Sequence, residues 1–378
     1  MPQSIILAVN TGSSSVRLSA FDANETPLSL LATERFDKEA VTKGAPQELL
    51  RTFLQTHDLK RVDVVSHRVV HGGARFTSAT LLNQEAERAI GELSHLAPLH
   101  NPRALVWIEA CRAVLGEKTL QIAVFDTAFY AQLPAVAATY ALPRELCRKH
   151  GIRRFGFHGL AHGSMWNGWR KSHPQKSGGR VISLQLGSGC SISAVRDGVP
   201  QDTSMGFSPL EGLVMSTRCG DVDAGLLTFL QREEKMTPDE VESLLNTKSG
   251  LLGVSGISGD MRELLRSDAP EAKLAIELFC YRARKYIGAY LAVLGGADAI
   301  VFGGGVGENA AIVRERILSD LEWCGIILDR DANNSATAAR EVCISTPTSR
   351  IEIWILPVDE AQVLAREAIA FLPTSSTR

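Results

Sequence analysis

The chain opens on an apolar run, Ile5 to Val9, then a tip of small polar residues, Asn10-Thr11-Gly12-Ser13-Ser14-Ser15, and a second run from Val16 to Phe21 closed by Asp22. This order predicts two strands joined at a tight tip. It returns nearly half a chain later as Val181 to Leu186, Gly187-Ser188-Gly189-Cys190-Ser191, Ile192 to Val195 and the polar turn Arg196-Asp197-Gly198. Two such hairpins point to a duplicated α/β domain.

Strand and helix patterns alternate between and after the hairpins. Val62 to Val70 and Gln121 to Phe125 are short apolar or β-branched runs expected as buried strands, and Glu85 to Leu96 and Arg103 to Leu115 fit amphipathic helices. A longer helix is expected from about Pro270 to Leu294, capped by Asp268, stopped by Gly295-Gly296 and buried along Leu274, Leu278, Tyr281 and Ile287. Ala299 to Phe302 reads as a strand that opens into Gly303-Gly304-Gly305-Val306-Gly307-Glu308-Asn309 and a helix to about Leu321. Ile351 to Leu356 is the last expected strand and Glu360 to Phe371 the closing helix. The apolar window Tyr286 to Gly307 holds Asp298 and seven glycines, so it reads as helix, turn, strand and loop, not a membrane span.

A basic stretch, Lys149 to Arg154, sets the expected boundary between domains 1-150 and 151-359, with a closing helix at about 360-372 returning to the first. The tail Pro373 to Arg378 is expected to be disordered. At 378 residues, 45% hydrophobic and 22% charged, the chain has the composition of a two-domain globular protein. Its formal charge of -2 provides no long-range attraction to nucleic acid or an anionic membrane, so an anionic ligand needs a local basic cluster. Seven scattered cysteines without a Cys-x-x-Cys pair argue against a disulfide framework or thiolate zinc site and fit the cytoplasm, and Met1 to Asn10 lacks an export signal's basic region.

Small residues at a hairpin tip let backbone N–H groups approach an anion, although Asn10 to Ser15 alone is equally an ordinary turn. No Gly-Lys dipeptide exists, which excludes a Walker loop, and Glu308 stands where a dinucleotide fingerprint needs its third glycine. Two hairpins plus a strand-glycine-helix corner favour a mononucleotide site. Arg68, in His67-Arg68-Val69-Val70-His71-Gly72-Gly73, and Arg218, in Thr217-Arg218-Cys219-Gly220-Asp221, suit a carboxylate or phosphoryl group, or are solvated surface arginines. Asp126, just past a buried strand, is a candidate for holding a cation or for a helix cap. His158 and His162 stand at i, i+4, a spacing open to metal ligation or to one histidine donating to a phosphoryl oxygen. Arg144, Arg148, Lys149, Arg153 and Arg154 read as a solvated basic face.

Together these residues resemble the acetate kinases, short-chain acyl kinases of the sugar kinase, actin and chaperone ATPase superfamily. The resemblance spans nearly the whole chain and is carried by Asn10 to Ser15, His67 to Gly73, Ala97-Pro98-Leu99-His100-Asn101-Pro102, Phe125-Asp126-Thr127-Ala128-Phe129 and Gly156-Phe157-His158-Gly159. It continues in Asp202-Thr203-Ser204-Met205-Gly206-Phe207, Ser249-Gly250-Leu251-Leu252-Gly253 and Gly305-Val306-Gly307-Glu308-Asn309. The resemblance implies two duplicated ribonuclease-H-like (actin-like ATPase) domains with a cleft between them, a homodimer, and reversible phosphoryl transfer from ATP to acetate giving acetyl phosphate and ADP. It implies Mg²⁺, or Mn²⁺, at Asn10 and Glu360; Arg68, Asp126, His158 and Arg218 as catalytic residues; and Arg68, Val70, Leu99, Phe157 and Pro209 around the acyl group. The nucleotide falls to Arg17, to Gln185, Leu186, Gly187, Ser188 and Gly189, to Asp260, Met261 and Arg262, and to Gly304, Gly305, Val306, Gly307 and Glu308.

Gln185 and Ser188 stand where the family pattern has His and Asn, Leu160 and Ala161 replace hydroxyl residues, and Tyr130 and Asp359 replace His and Asn. Weaker or water-mediated phosphate contacts are expected at the second tip. A propionate or butyrate kinase, a pyrophosphate-using variant and a catalytically silent nucleotide-binding relative stay open as alternatives.

Overall fold

Both sequence hairpins lie at the centre of six-stranded sheets in the computed structural model, which describes residues 4–12, 15–37, 45–98, 100–175, 179–336 and 340–372. The first sheet contains β1 (Ile5–Thr11), β2 (Ser15–Asp22), β3 (Ser29–Asp37), β4 (Val64–Val69), β5 (Thr80–Leu81) and β6 (Leu120–Phe125) in the order β3-β2-β1-β4-β6-β5. The second contains β7 (Arg180–Leu186), β8 (Cys190–Arg196), β9 (Val199–Thr203), β10 (Ala299–Gly303), β11 (Val342–Cys343) and β12 (Glu352–Ile355). Its order, β9-β8-β7-β10-β12-β11, repeats the first strand for strand.

The duplication reaches individual side chains. In each sheet the hairpin strands are antiparallel, the next two pairings are parallel, and the far edge strand is antiparallel. Register shifts fall between Ala20 and Phe21 in one sheet and between Ala194 and Val195 in the other. Three residues beyond each hairpin's closing pair, Ser19 meets Thr33 and Ser193 meets Thr203, both hydroxyl pairs at 2.9 Å. The duplicated α/β architecture expected from sequence is therefore present.

One unit comprises Met1–Ala131 with Asp359–Arg378, and the other Gln132–Val358. The change falls before the basic stretch near residue 150 because Tyr140 Oη accepts from Phe207 N at 2.8 Å, tying the chain to the second unit early. The closing helix, Glu360–Ile369, packs on β1, β2 and β4 through Ala361, Leu364, Ala365 and Ala368. The first unit's core gathers Leu7, Val9, Leu18, Phe53, Val65 and Trp107; the second sheet buries Val181, Ile182, Leu184, Ile192, Ile300 and Phe302. Burial of such side chains is the main stabilising term.

The long helix has the expected bounds, Pro270–Leu294, but a different buried face. Leu274 and Tyr281 are 56% and 58% exposed, whereas Ala272, Ala275, Ile276, Phe279, Cys280, Ala283 and Ile287 are buried. Small residues let this helix approach the short helix Gly250–Ser255 and β8 closely, which sets the inner face. Asp268 does not cap it; Ala269 holds that position without a side-chain bond. The helical stretch after β10 breaks at Ala310 into Gly304–Asn309 and Ala311–Leu318. No helix among the described residues is long and apolar enough to cross a membrane, and all seven cysteines are free.

Candidate active site

In the first unit the chemistry gathers where strands end. Arg68 lies near the end of β4, Asp126 follows β6, Asn10 lies near the end of β1, and Glu360 begins the closing helix, which Asp359 caps by accepting from Gln362 N at 3.0 Å. Arg68 donates to both oxygens of Asp126, Nε at 3.1 Å and Nη2 at 2.8 Å. Its Nη1 donates to Glu360 Oε2 at 2.9 Å and to Asn10 Oδ1 at 3.2 Å, while Asn10 Nδ2 donates to the same Glu360 oxygen at 2.7 Å. Asp126 is thus an ion-pair partner, not a helix cap.

Burial opposes the Arg68 charge, but Asp126 and Glu360 outweigh it and raise the guanidinium above its ordinary range. The side chains of Arg68, Asp126 and Glu360 are only 11%, 1% and 15% exposed, so two carboxylates share one guanidinium in a largely dry place. The excess negative charge and the hard oxygen donors fit a magnesium ion, which binds through one or two carboxylates while keeping waters and phosphate oxygens. Arg17, exposed on β2, pairs across the strands with Asn10. Val70 is buried just after β4. Leu99, Ser13 and Ser14 lie outside the described residues.

The second unit gathers its own cluster around the β7–β8 tip. A methyl group placed on Gly189 would lie 2.9 Å from Arg218 Nη2 and 3.4 Å from His158 Nε2, so both side chains face that glycine. His158 has a left-handed φ of 56°, a costly conformation for a residue other than glycine, at the start of the helix Gly159–Ser172. Its Nδ1 lies 2.8 Å from Ser191 Oγ, and His162 Nε2 is also 2.8 Å from that hydroxyl. The two imidazoles share a serine, so their spacing does not form a metal pair.

Arg218 donates to Pro209 O at 2.6 Å, and burial lowers its pKa. Among the described residues, no ion pair joins Arg218 to a carboxylate. Ser216 N donates to Ser188 O at 3.1 Å, which ties the tip to the Arg218 segment. A methyl on Gly259 would come within 2.9 Å of Ser216 O, bringing Asp260 into the same neighbourhood. Asp260 caps the helix Met261–Leu265 and pairs with Arg262 at 2.5 Å, while Met261 is buried.

Gly304, at a φ of 77°, begins the corner after β10, and a methyl there would strike Leu186 O at 2.6 Å. Only glycine lets this corner meet the tip. Glu308 accepts from Gly304 N at 2.8 Å and Val358 N at 3.2 Å, so its side chain fastens the corner from within, and burial raises its pKa. Gly305 and Val306 are the more open residues, and Gly307 is buried. Gln185, next to last on β7, has its amide oxygen buried and without a partner among the described residues. Phe157 is buried beside His158 in the chain.

Two networks escaped the sequence reading. Arg154 is not part of a solvated face: it pairs with Glu211 at 2.6 Å and donates to Thr203 O and Ser204 O, while Glu211 accepts from Tyr140. Ser183 and Ser191 on adjacent strands form the other with His162 of the helix Gly159–Ser172. The signal was three hydroxyls, Ser183, Ser191 and Ser193, inside otherwise apolar strands.

The Acetokinase family profile matches residues 32–366. The acetate kinase of Halothermothrix orenii is 42% identical over 392 residues, covering 96% of this chain and 98% of that protein. Solved structures of an acetate kinase from Porphyromonas gingivalis (34% identity, TM-score 0.87, 98% of this chain and 100% of that one) and a propionate kinase from Francisella tularensis (35%, 0.87, 96% and 98%) have the same two-sheet fold. With its duplicated ribonuclease-H-like units, this chain belongs to the acetokinase family, whose members are kinases.

Proposed function

We propose that the chain is an acetate kinase that moves the γ-phosphoryl group of ATP to the carboxylate of acetate, reversibly. The carboxylate oxygen attacks phosphorus, the bond to the β–γ bridging oxygen breaks, and ADP leaves with the electron pair. The transferring group is loose and its charge spreads over three oxygens, so catalysis depends mostly on fixed positive charge and alignment. The observation that carries this reading is Arg218: a part-buried guanidinium facing a glycine tip with no carboxylate partner among the described residues. Such a cation requires an anion.

In this reading Arg218 neutralises the phosphoryl oxygens, His158 Nε2 donates to one, and the tip Gln185 to Gly189 and the corner Gly304 to Glu308 take the nucleotide with Arg17, Asp260, Met261 and Arg262. Arg68, already gripped by Asp126, presents its remaining Nη2–H to the acyl carboxylate. Val70, Leu99, Phe157 and Pro209 serve the methyl group. Asn10 and Glu360 would hold Mg²⁺, which supplies neutralisation of phosphate charge. We further propose a homodimer, supported by the exposed Leu274 and Tyr281, and a cytoplasmic location, supported by seven free thiols.

Acyl-hydroxamate formation from acetate, ATP and Mg²⁺ tests the reading, with Arg218→Ala as control. Product above that control is expected; none would remove the acetate kinase assignment, and nucleotide binding without turnover would favour a silent relative. The similarity to a propionate kinase supports a second reading, a longer acid, because one methylene changes pocket affinity by only about 1–3 kcal/mol. Crossing acetate, propionate and butyrate with ATP, GTP and pyrophosphate separates these possibilities.

A further inference from the structure

His162, Ser183 and Ser191 are each 0% exposed, and the reaction above gives none of them a task. They form one chain. Ser183 Oγ lies 2.7 Å from His162 Nδ1, His162 Nε2 lies 2.8 Å from Ser191 Oγ, and Ser191 Oγ lies 2.8 Å from His158 Nδ1. The duplicated fold does not demand this polarity. Counted from the closing pairs Thr11–Val16 and Leu186–Cys190, the positions of Ser183 and Ser191 correspond to Ala8 and Arg17 in the first sheet. The helix Glu360–Ile369, packed on β1, buries only alanine and leucine.

Proton counting gives the chain a direction. Burial lowers the His162 pKa to about 3, so the ring is neutral and carries one N–H. Among the described residues, the hydrogen-bond partner of Ser183 Oγ is His162 Nδ1, so the serine proton goes there. His162 then carries its own proton on Nε2 and donates to Ser191, and Ser191 donates to His158 Nδ1. The opposite direction would leave the Ser183 O–H buried without an acceptor, the costlier arrangement.

We propose that Ser183, His162 and Ser191 are positioning residues that hold neutral His158 in the tautomer with its proton on Nε2, the nitrogen facing Gly189 and Arg218. Arg218 Nη2 faces the same glycine, so an N–H on Nε2 and the guanidinium point at one place. In this tautomer His158 offers its Nε2–H toward an anion while Nδ1 accepts from Ser191. That this donor serves a transferring phosphoryl group rests on the proposed kinase reading; the tautomer itself does not.

Nitrogen NMR on the full chain, labelled in its histidine rings and assigned with His158→Gln, tests the proposal. The expected result is His158 protonated on Nε2 and bare on Nδ1 at alkaline pH. Protonation on Nδ1, or an even mixture, would overturn it. Ser183→Ala should weaken the tautomer preference and lower kcat roughly three- to tenfold, the usual worth of one hydrogen bond, with nucleotide KM little changed. Ser183→Thr, which keeps the hydroxyl, should restore both. An Ala variant with unchanged tautomer and rate, or equal losses in Ala and Thr, counts against the chain. The spectra need no substrate, so failure of the kinase assay would leave the tautomer result standing.

Discussion

Gly189 and Arg218 approach so closely that a methyl group on the glycine would stand 2.9 Å from the Nη2 atom. Arg68 in the first unit and Arg218 in the second are in opposite states. Arg68 is ion-paired with both Asp126 and Glu360. Arg218 has a carbonyl, Pro209 O, and a glycine tip. The first is held in place, whereas the second has charge left to offer.

Gly189→Ala tests that difference. The clash is with the far end of a flexible side chain, so the fold accommodates it by moving the guanidinium, and stability should change little. Displacement of a positioning group by about 1 Å costs on the order of 100-fold in rate. Turnover should fall by about that factor while the thermal midpoint stays within a few degrees. Full activity in the Ala variant would mean that Arg218 does not work from this position.

Arg68→Ala should behave otherwise, because it removes the guanidinium that pairs with both Asp126, 1% exposed, and Glu360. Removing one partner of a buried ion pair typically costs about 3–5 kcal/mol. Denaturant unfolding should register that loss together with abolished turnover, and Arg68→Lys should recover part of the stability but little activity, since an ammonium lacks the planar fork. An Ala variant as stable as the parent would contradict the buried network.

These outcomes bear on what was legible beforehand. The hairpin tips were plain because small residues interrupt apolar runs, and the helix Pro270–Leu294 was bracketed by proline and glycine. Its inner face was not plain: Leu274 and Tyr281 look like core, yet alanines let the helix come close. β3 and β9 went unseen because each lies at a sheet edge with polar and apolar residues mixed. Arg68 and Asp126 were visible singly as charges after buried strands, but their pairing joins positions 58 residues apart, which only the parallel β4–β6 register decides. The serine chain left only a weak trace, hydroxyls within apolar strands, because its links to His162 join positions 21 and 29 residues apart that only the packing of helix on sheet brings together.

Gln185 is the departure whose consequence is most readily measured. Its buried Oε1 is an acceptor without a partner, beside a tip read as a phosphate cradle, where a donor would serve better. Replacing Gln185 by His and Ser188 by Asn should exchange a neutral amide for an imidazole and a short hydroxyl for a longer amide donor, and each improved contact is worth on the order of threefold to tenfold in affinity. The expected result is a several-fold lower KM for ATP in the double variant; an unchanged or higher KM would mean that the present tip is not limiting.

His67 connects burial to acid sensitivity. Its Nε2 lies 2.7 Å from Gln121 Oε1, an acceptor, so the ring proton sits on Nε2, while Nδ1 is buried without a partner. Burial, with Arg112 adding to it and the Gln121 bond opposing, lowers the pKa from 6.5 to about 4. Between those values the unfolded chain binds a proton that the folded chain refuses, so stability falls as pH drops through 6.5 and the loss levels off below 4. The slope is about 1.4 kcal/mol per pH unit for one histidine. His162, lowered to about 3 by burial, adds a similar slope that continues further into acid. Urea unfolding at pH values on either side of this window should show the parent losing stability on acidification, and His67→Leu losing about 2 kcal/mol less over two pH units. The leucine removes the titrating ring while keeping an apolar side chain in the core, so an identical pH dependence in parent and variant would mean that His67 takes its proton without unfolding.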